Sequence, residues 1–283
     1  MTRTLLKFIL LFFIFSILIV LPNILIPLNV KIQSQSEYNY LMLFILLLAD
    51  TFILIYLIKR LELWGMKLFL AVVIVFWGLQ TFMTQLETWY FREAMPQINN
   101  AELRNLFLRP LITSFTFTPL AIWILGKWKH NTNSFKSNAQ ANLTWKEMIG
   151  LSVAYVVIYF VFGYFVAWQF EAVRIFYSGT LEKVGFIEQM KHTIATKNSI
   201  LLFQLLRGFL YVVIGLPIVL YFKGGKSEKI MACVIIYFLP ALQLTVNNPF
   251  MPPQVRIAHL LEVASSNSLF GLLIGFILTR KQA

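Results

Sequence analysis

Apolar runs separated by short polar or proline-bearing segments make up most of this chain. A run of about twenty apolar residues is the length that an α-helix needs to cross a bilayer. Eight such runs are present, at about 5–28, 40–58, 65–87, 104–126, 147–169, 199–222, 230–247 and 257–279. The pattern predicts an all-α, polytopic integral membrane protein whose eight transmembrane helices form one domain over residues 1–283.

The amino-acid composition supports a membrane protein and argues against a nucleic-acid partner. Hydrophobic residues make up 59% of the chain and charged residues 13%, whereas a soluble domain has about a quarter charged residues. The net charge of +12 could indicate nucleic-acid binding, but the basic residues lie in short clusters between apolar runs and form no continuous patch. We therefore expect no nucleic-acid partner and a lipid bilayer as the surroundings.

The distribution of Lys and Arg between the runs predicts an orientation. With the amino terminus in the cytoplasm, most of the 24 basic residues fall on the inner side, and most of the 12 acidic residues fall on the outer side. Cytoplasmic loops of membrane proteins carry an excess of Lys and Arg. The pattern therefore predicts that both termini are cytoplasmic and that the protein is a multi-pass component of a bacterial-type inner, or plasma, membrane.

Polar side chains within the runs are concentrated in the half of the bilayer that this orientation makes the outer one. They include Gln80, Glu87, Gln204, Arg207, Gln243, Arg256, His259 and Glu262. Ionisable groups at membrane depth are costly unless they meet partners or water. Their clustering predicts a polar cavity between helices that opens to the outer leaflet.

Glu87, Glu171, His259 and Glu262 are the candidate catalytic residues. His259 and Glu262 lie three apart and share one helix face, and the other two glutamates come from two other helices. A His and several carboxylates at an apolar boundary suit general acid/base catalysis. The same pattern suits a metal site in a helix bundle, with His259, Glu262 and Glu87 as ligands. A third interpretation is structural, with the glutamates paired to arginines at the helix ends. The sequence specifies no cofactor.

Arginine and glutamine side chains near the same end could hold the anionic part of a substrate. The substrate-binding candidates are Arg174, Arg207, Arg256, Gln80, Gln204 and Gln243. Asp50 and Arg207 have similar predicted depths, roughly 12–15 Å from the outer helix ends at 1.5 Å per residue. Because an unpaired charge at that depth is costly, Asp50 and Arg207 are predicted to form a structural ion pair.

Within the last run, the stretch HLLEVASSNSLFGLLIGFIL, which begins at His259, is similar to the final motif helix of intramembrane glutamyl proteases related to CAAX-processing enzymes. In that family a His precedes an Asn and a helix of small residues. The paired glutamates of the family are absent here, because the stretch from Glu171 to Arg174 has a single Glu. The distance from His259 to Asn267 is also longer than in the family, so the sequence identifies no family.

The leading functional interpretation is a membrane-embedded site that binds or processes a lipid or another amphipathic, anionic molecule. An alternative is a secondary transporter or permease that uses the same cavity, with Asp50 or a glutamate carrying a proton. A third is a non-catalytic membrane subunit whose polar residues lock helices together or dock a partner. In that case Gly271 and Gly275, spaced as GxxxG, would form an exposed helix-packing face. Whether the protein is an enzyme is left open.

Overall fold

The computed structural model describes residues 2–27, 39–129 and 144–280, and these ranges are built from α-helices. Residue 28, the predicted end of the first apolar run, lies outside them. The helices are α1 (Thr2–Leu25), α2 (Tyr40–Arg60), α3 (Gly65–Trp77), α4 (Met83–Tyr90), α5 (Asn100–Ile124), α6 (Trp145–Phe165), α7 (Glu171–Ser178), α8 (Phe186–Thr196), α9 (Ile200–Tyr221), α10 (Lys226–Leu242) and α11 (Pro253–Thr279).

Eight helices within the described ranges are long and apolar enough to cross a membrane, which confirms the predicted all-α class and supports a multi-pass membrane protein. One of them is composite, because a π-helical turn at Gly78–Phe82 joins α3 and α4 into a single span. The fourth span starts at Asn100, earlier than its apolar run predicts. The side chain of Asn99 accepts hydrogen bonds from the backbone N–H groups of Ala101 (2.8 Å) and Glu102 (2.9 Å) and so begins that helix. The cytoplasmic placement of both termini stays a prediction.

One end of the bundle, here called the short-loop end, is formed by residues 61–64, 125–129 and 222–225. Backbone hydrogen bonds join these loops to one another. The N–H of Glu62 donates to the carbonyl of Tyr221 at 2.7 Å, and the N–H of Gly65 donates to the carbonyl of Lys127 at 3.1 Å. The loops therefore satisfy each other's backbone groups at this end.

The opposite end, here called the cap end, carries the two helices α7 and α8 that are too short to span. Its loops are also linked across the bundle: Lys197 forms an ion pair with Glu93 at 2.7 Å, and the hydroxyl groups of Tyr90 and Ser199 are 2.9 Å apart. Residues of α7 and α8 line a cavity at this end, which is described below.

Buried charged and amide side chains are distributed unevenly along the bundle. Fully buried aliphatic residues fill the half near the short-loop end; examples are Leu57, Ile58, Leu68, Val72 and Ile218. Buried charged and amide side chains lie at the middle of the bundle or nearer the cap end; they include Asp50, Gln80, Arg109, Gln204, Arg207 and Glu262. Any polar site between the helices is therefore closed off on the short-loop side by packed hydrocarbon.

Gly271 and Gly275 lie inside the bundle, where α11 packs closely against α10. A Cβ atom at Gly271 would be 2.8 Å from the carbonyl oxygen of Cys233, and one at Gly275 would be 2.8 Å from the Cα of Ile230. Both positions need glycine because another backbone approaches there. This pair is consequently used within the chain and does not form an exposed face for a partner.

Candidate functional site

The π-helical turn shapes the first part of the site, at Gln80. A π turn frees a main-chain carbonyl from the regular helical pattern, and the carbonyl of Gln80 accepts a hydrogen bond from Nε2 of Gln243 at 2.8 Å. The same Nε2 also donates to Oε1 of Gln80 at 2.7 Å, while Nε2 of Gln80 donates to the Asp50 carboxylate at 2.7 Å. Two predicted binding residues, Gln80 and Gln243, are thereby joined to a buried carboxylate.

The second part is a line of three hydrogen-bonded side chains, Tyr177, His259 and Glu262. The imidazole Nδ1 of His259 lies 2.7 Å from a Glu262 carboxylate oxygen, as the three-residue spacing on α11 predicts. Its Nε2 lies 3.1 Å from the hydroxyl of Tyr177 on α7. With Nδ1–H donating to Glu262, Nε2 is left as an acceptor for the tyrosine hydroxyl. We call this arrangement the Tyr–His–Glu relay.

Tyr177 was not predicted from the sequence. It lies on a helix of eight residues outside the apolar runs, where no helical periodicity points to His259. Burial raises the pKa of Tyr177, and the nearby carboxylates of Glu87 and Glu262 raise it further, so the hydroxyl stays protonated. A neutral hydroxyl is the form that donates to the imidazole nitrogen.

The third part is an ion pair between Glu87 and Arg207. Nη2 of Arg207 lies 2.8 Å from a Glu87 carboxylate oxygen, and Nη1 donates to Oε1 of Gln204 at 3.0 Å. The Arg207 side chain is only 3% exposed, whereas that of Glu87 is 37% exposed. The pair therefore runs from the packed interior towards an open space.

This ion pair corrects the predicted pairing of Asp50 with Arg207. The prediction rested on depth alone, and depth does not fix which side of its helix a residue occupies. Arg207 faces Glu87 on α4, and the buried Asp50 is satisfied by Gln80 in the π-helical turn. Glu87, a candidate catalytic carboxylate, therefore already forms an ion pair with Arg207.

Arg174 and Arg256 bind the backbone of neighbouring loops. Arg174 donates to the carbonyls of Trp168 (2.7 Å), Gln169 (3.1 Å) and Leu181 (3.1 Å). Arg256 donates to the carbonyl of Val246 and to the side chain of Asn247. Both guanidinium groups hold chain segments at the cap end. Neither they nor Arg207 and Gln204 line the two cavities described below.

The third candidate carboxylate, Glu171, is exposed at the start of α7 and lines neither cavity. The predicted metal ligands His259, Glu262 and Glu87 do not form a metal-binding group, and no cluster of three or more His, Cys, Asp or Glu side chains suited to a metal occurs in the described ranges. The reason is geometric, since Glu87 turns to Arg207 while His259 directs one nitrogen to Glu262 and the other to Tyr177.

Two cavities meet at these residues. The first, the cap cavity, has a volume of about 510 Å³ and lies under α7 and α8 between α6 and α11. Its walls combine aromatic rings with the Tyr–His–Glu relay; among them are Phe160, Trp168, Phe176, Tyr177, His259 and Glu262. Its size falls in the range of pockets that bind small molecules.

The second, the amide cavity, has a volume of about 460 Å³ and lies among α1, α2, α5 and the composite span. Many of its wall residues carry side-chain amides: Asn23, Gln80, Gln85, Gln243, Asn247 and Asn248. Asp50 and Arg109 also line it, beside apolar residues of α1 and α3.

Four residues belong to both cavities and form the wall between them: Glu87, Phe91, Tyr177 and His259. The rings of Phe91 and Tyr177 meet edge to face at 6.2 Å, and those of Tyr177 and His259 at 5.7 Å. The relay is therefore placed where a molecule in either cavity can contact it.

The fold and this geometry define a class: an all-helical protein of the multi-pass membrane type, with two adjoining cavities between its helices. Comparison of the chain with known protein families, curated proteins and solved structures finds no match in any of the three.

Proposed function

We propose that this protein binds a lipid or another amphipathic molecule in the cap cavity and exchanges a proton with it through the Tyr–His–Glu relay. The observation that carries the proposal is the hydroxyl–imidazole–carboxylate line of Tyr177, His259 and Glu262 in the wall of an aromatic-lined cavity. With the predicted orientation, this cavity opens on the external side, within reach of the outer leaflet.

The relay can accept a proton and hold it beside a counter-charge. A substrate O–H or N–H gives its proton to the oxygen of Tyr177 while the proton of Tyr177 passes to Nε2 of His259. The imidazolium that forms is stabilised by the Glu262 carboxylate at 2.7 Å. The deprotonated substrate atom attacks an ester or amide carbonyl carbon, the bond from that carbon to the leaving group breaks, and the reverse transfer delivers the proton to the leaving group and restores neutral His259. In this scheme Tyr177 contacts the substrate, His259 holds the proton and Glu262 orients the ring.

The charges around the cap cavity favour a neutral polar group at the relay. Lys197 is paired with Glu93, and Glu87 is paired with Arg207. No unpaired guanidinium lines this cavity among the described residues, so the arginines predicted to hold an anion do not act here. An alcohol, ester or amide group beside a hydrocarbon chain fits the aromatic walls and the relay together.

Two glycines on α6 allow a matched test of binding. Gly163 lines the cap cavity, and a Cβ atom there would be 3.7 Å from Oε1 of Glu262, so Gly163→Leu fills the cavity without a backbone clash. Gly150 has no atom within 4 Å of its Cβ position, so Gly150→Leu is the control. Native mass spectrometry of protein extracted from membranes should detect co-purified lipid on the wild type and on Gly150→Leu. Equal lipid occupancy on Gly163→Leu would contradict the proposal.

Proton exchange is tested separately from binding. Wild-type protein, Tyr177→Phe and His259→Gln are incubated with a total lipid extract, and the lipids are analysed by liquid chromatography and mass spectrometry. We expect a lipid species that is converted by the wild type and left unchanged by both variants, which still carry bound lipid. Conversion at the wild-type rate by either variant would rule out a role for the relay.

The wall shared by the two cavities favours transport as a second candidate, with the relay or Glu87 as the proton-carrying group. Proteoliposomes that enclose a pH-sensitive dye distinguish the two functions. If the bound lipid leaves the protein chemically unchanged and its uptake moves protons in the wild type but not in His259→Gln, transport replaces catalysis as the function of the site.

A further inference from the structure

Arg109 on α5 is a buried cation whose hydrogen-bonding capacity is mostly unused. Its side chain lines the amide cavity, and the residue is 8% exposed. Nη1 donates to Oδ1 of Asn23 at 2.9 Å, and no carboxylate lies within ion-pair distance in the described ranges. Nε and Nη2 are buried without any hydrogen-bond partner.

The two free groups lie on the same edge of the guanidinium. Nε–H and one N–H of Nη2 point in parallel, and this edge is the fork that matches the two oxygens of a carboxylate or phosphate. The other buried arginines differ, because Arg207 and Arg256 each leave only Nε without a partner. A buried charge with an empty fork is costly unless a ligand satisfies it.

We propose that the amide cavity is a binding site for an amphipathic anion, whose carboxylate or phosphate group is held by the Nε and Nη2 edge of Arg109. Amide side chains that line the same cavity, such as Gln85, carry N–H groups that can donate to the anion. Apolar side chains of the same cavity, Phe15, Ile19 and Phe76, provide a surface for a hydrocarbon chain. This site lies outside the cap cavity and does not depend on the proton relay.

The test measures binding of dodecyl phosphate to the full chain in dodecyl maltoside micelles by isothermal titration calorimetry. Dodecanol tests the need for charge, and inorganic phosphate tests whether the free anion suffices. Arg109→Gln removes the fork, and Arg104→Gln, an exposed arginine on the same helix, is the matched control. Because charge-assisted, bidentate contacts are lost, we expect affinity for dodecyl phosphate to fall about tenfold or more in Arg109→Gln and to stay unchanged in Arg104→Gln.

The three ligands separate the possible sources of the anion. Binding of dodecyl phosphate that depends on Arg109, with no binding of inorganic phosphate, identifies an amphipathic ligand such as a lipid. Equal binding of inorganic phosphate identifies a free-anion site and overturns the amphipathic assignment. Binding that is the same in Arg109→Gln and the wild type, or that falls as much in Arg104→Gln, overturns the site itself.

A second variant keeps the inference testable if Arg109→Gln does not fold. The amide oxygen of Asn23 lies 2.9 Å from Nη1 of Arg109. Asn23→Asp replaces this amide with a carboxylate, which neutralises the charge of Arg109 from within the chain. We expect this variant to fold at least as well as the wild type and to lose affinity for dodecyl phosphate by about tenfold. Unchanged affinity in a folded Asn23→Asp protein would contradict the inference.

Discussion

Replacing Glu87 by Gln should destabilise the bundle strongly, because it leaves the guanidinium of Arg207 buried without a counter-charge. Removing one partner of a buried ion pair costs about 3–5 kcal/mol. Here Arg207 is 3% exposed but Glu87 is 37% exposed, so solvent already weakens the pair. Gln204 continues to accept one hydrogen bond from Arg207. We therefore expect Glu87→Gln to lower the free energy of unfolding by about 2–3 kcal/mol.

The assay is reversible unfolding in mixed micelles with rising sodium dodecyl sulfate, followed by tryptophan fluorescence. The double variant Glu87→Gln/Arg207→Met should recover most of the loss, since removal of both charges leaves no buried ion unsatisfied. Glu93→Gln is the control because Glu93 belongs to an ion pair in which its own side chain is 81% exposed, and we expect a change much smaller than that of Glu87→Gln. A stable Glu87→Gln protein, or a double variant no better than the single one, would refute the reasoning.

Three further predictions follow from packing, polar contacts and surface charge. Gly271→Leu should lower the free energy of unfolding by about 1–3 kcal/mol, because its side chain meets the α10 backbone, while Gly150→Leu leaves stability unchanged in the same assay. Gln80→Ala should cost about 1–3 kcal/mol by leaving Asp50 without its donor, and adding Asp50→Asn should restore part of it. The hydrogen bond from Lys197 lowers the pKa of Glu93 below its ordinary value of 4.5. The ion pair therefore stabilises the fold slightly above pH 4.5, and this stabilisation is lost as the pH falls through the lowered pKa. The difference in thermal stability between the wild type and Glu93→Gln should therefore vanish in acid, and a constant difference would contradict the assignment.

The spanning helices were predictable from sequence because a bilayer fixes the length of an apolar run. The His259 and Glu262 contact was predictable for a similar reason, since residues three apart on a helix share one face. Both inferences rest on geometry within a single element. These two inferences do not depend on how the neighbouring helices pack.

Pairings between helices could not be predicted in the same way. Depth placed Asp50 and Arg207 at one level, but rotation of each helix about its axis turned them to different partners. The local π-helical turn at Gln80 changes that rotation within a span, and nothing in its apolar pattern indicates where the turn falls. Tyr177 reaches His259 from a helix of eight residues outside the apolar runs, and nothing in that segment indicates which helix it packs against.

Arg109 shows a related limit of sequence reasoning. The arginines singled out from sequence were those nearest the candidate carboxylates, and the structure engages all three with carboxylate or backbone oxygens. The arginine that retains a free fork is on α5, away from those carboxylates. A free hydrogen-bonding edge is a property of the packed bundle and has no signature in the order of residues.

Photolabelling with a diazirine-bearing long-chain alcohol tests most directly whether the cap cavity receives an amphipathic molecule. The probe is added to the purified protein in dodecyl maltoside, and labelled peptides are located by mass spectrometry. We predict labels on the segments that line the cap cavity, residues 159–168, 173–179 and 259–262, and their loss in Gly163→Leu but not in Gly150→Leu. Labels confined to the exposed outer faces of the spanning helices, with no effect of Gly163→Leu, would contradict the account.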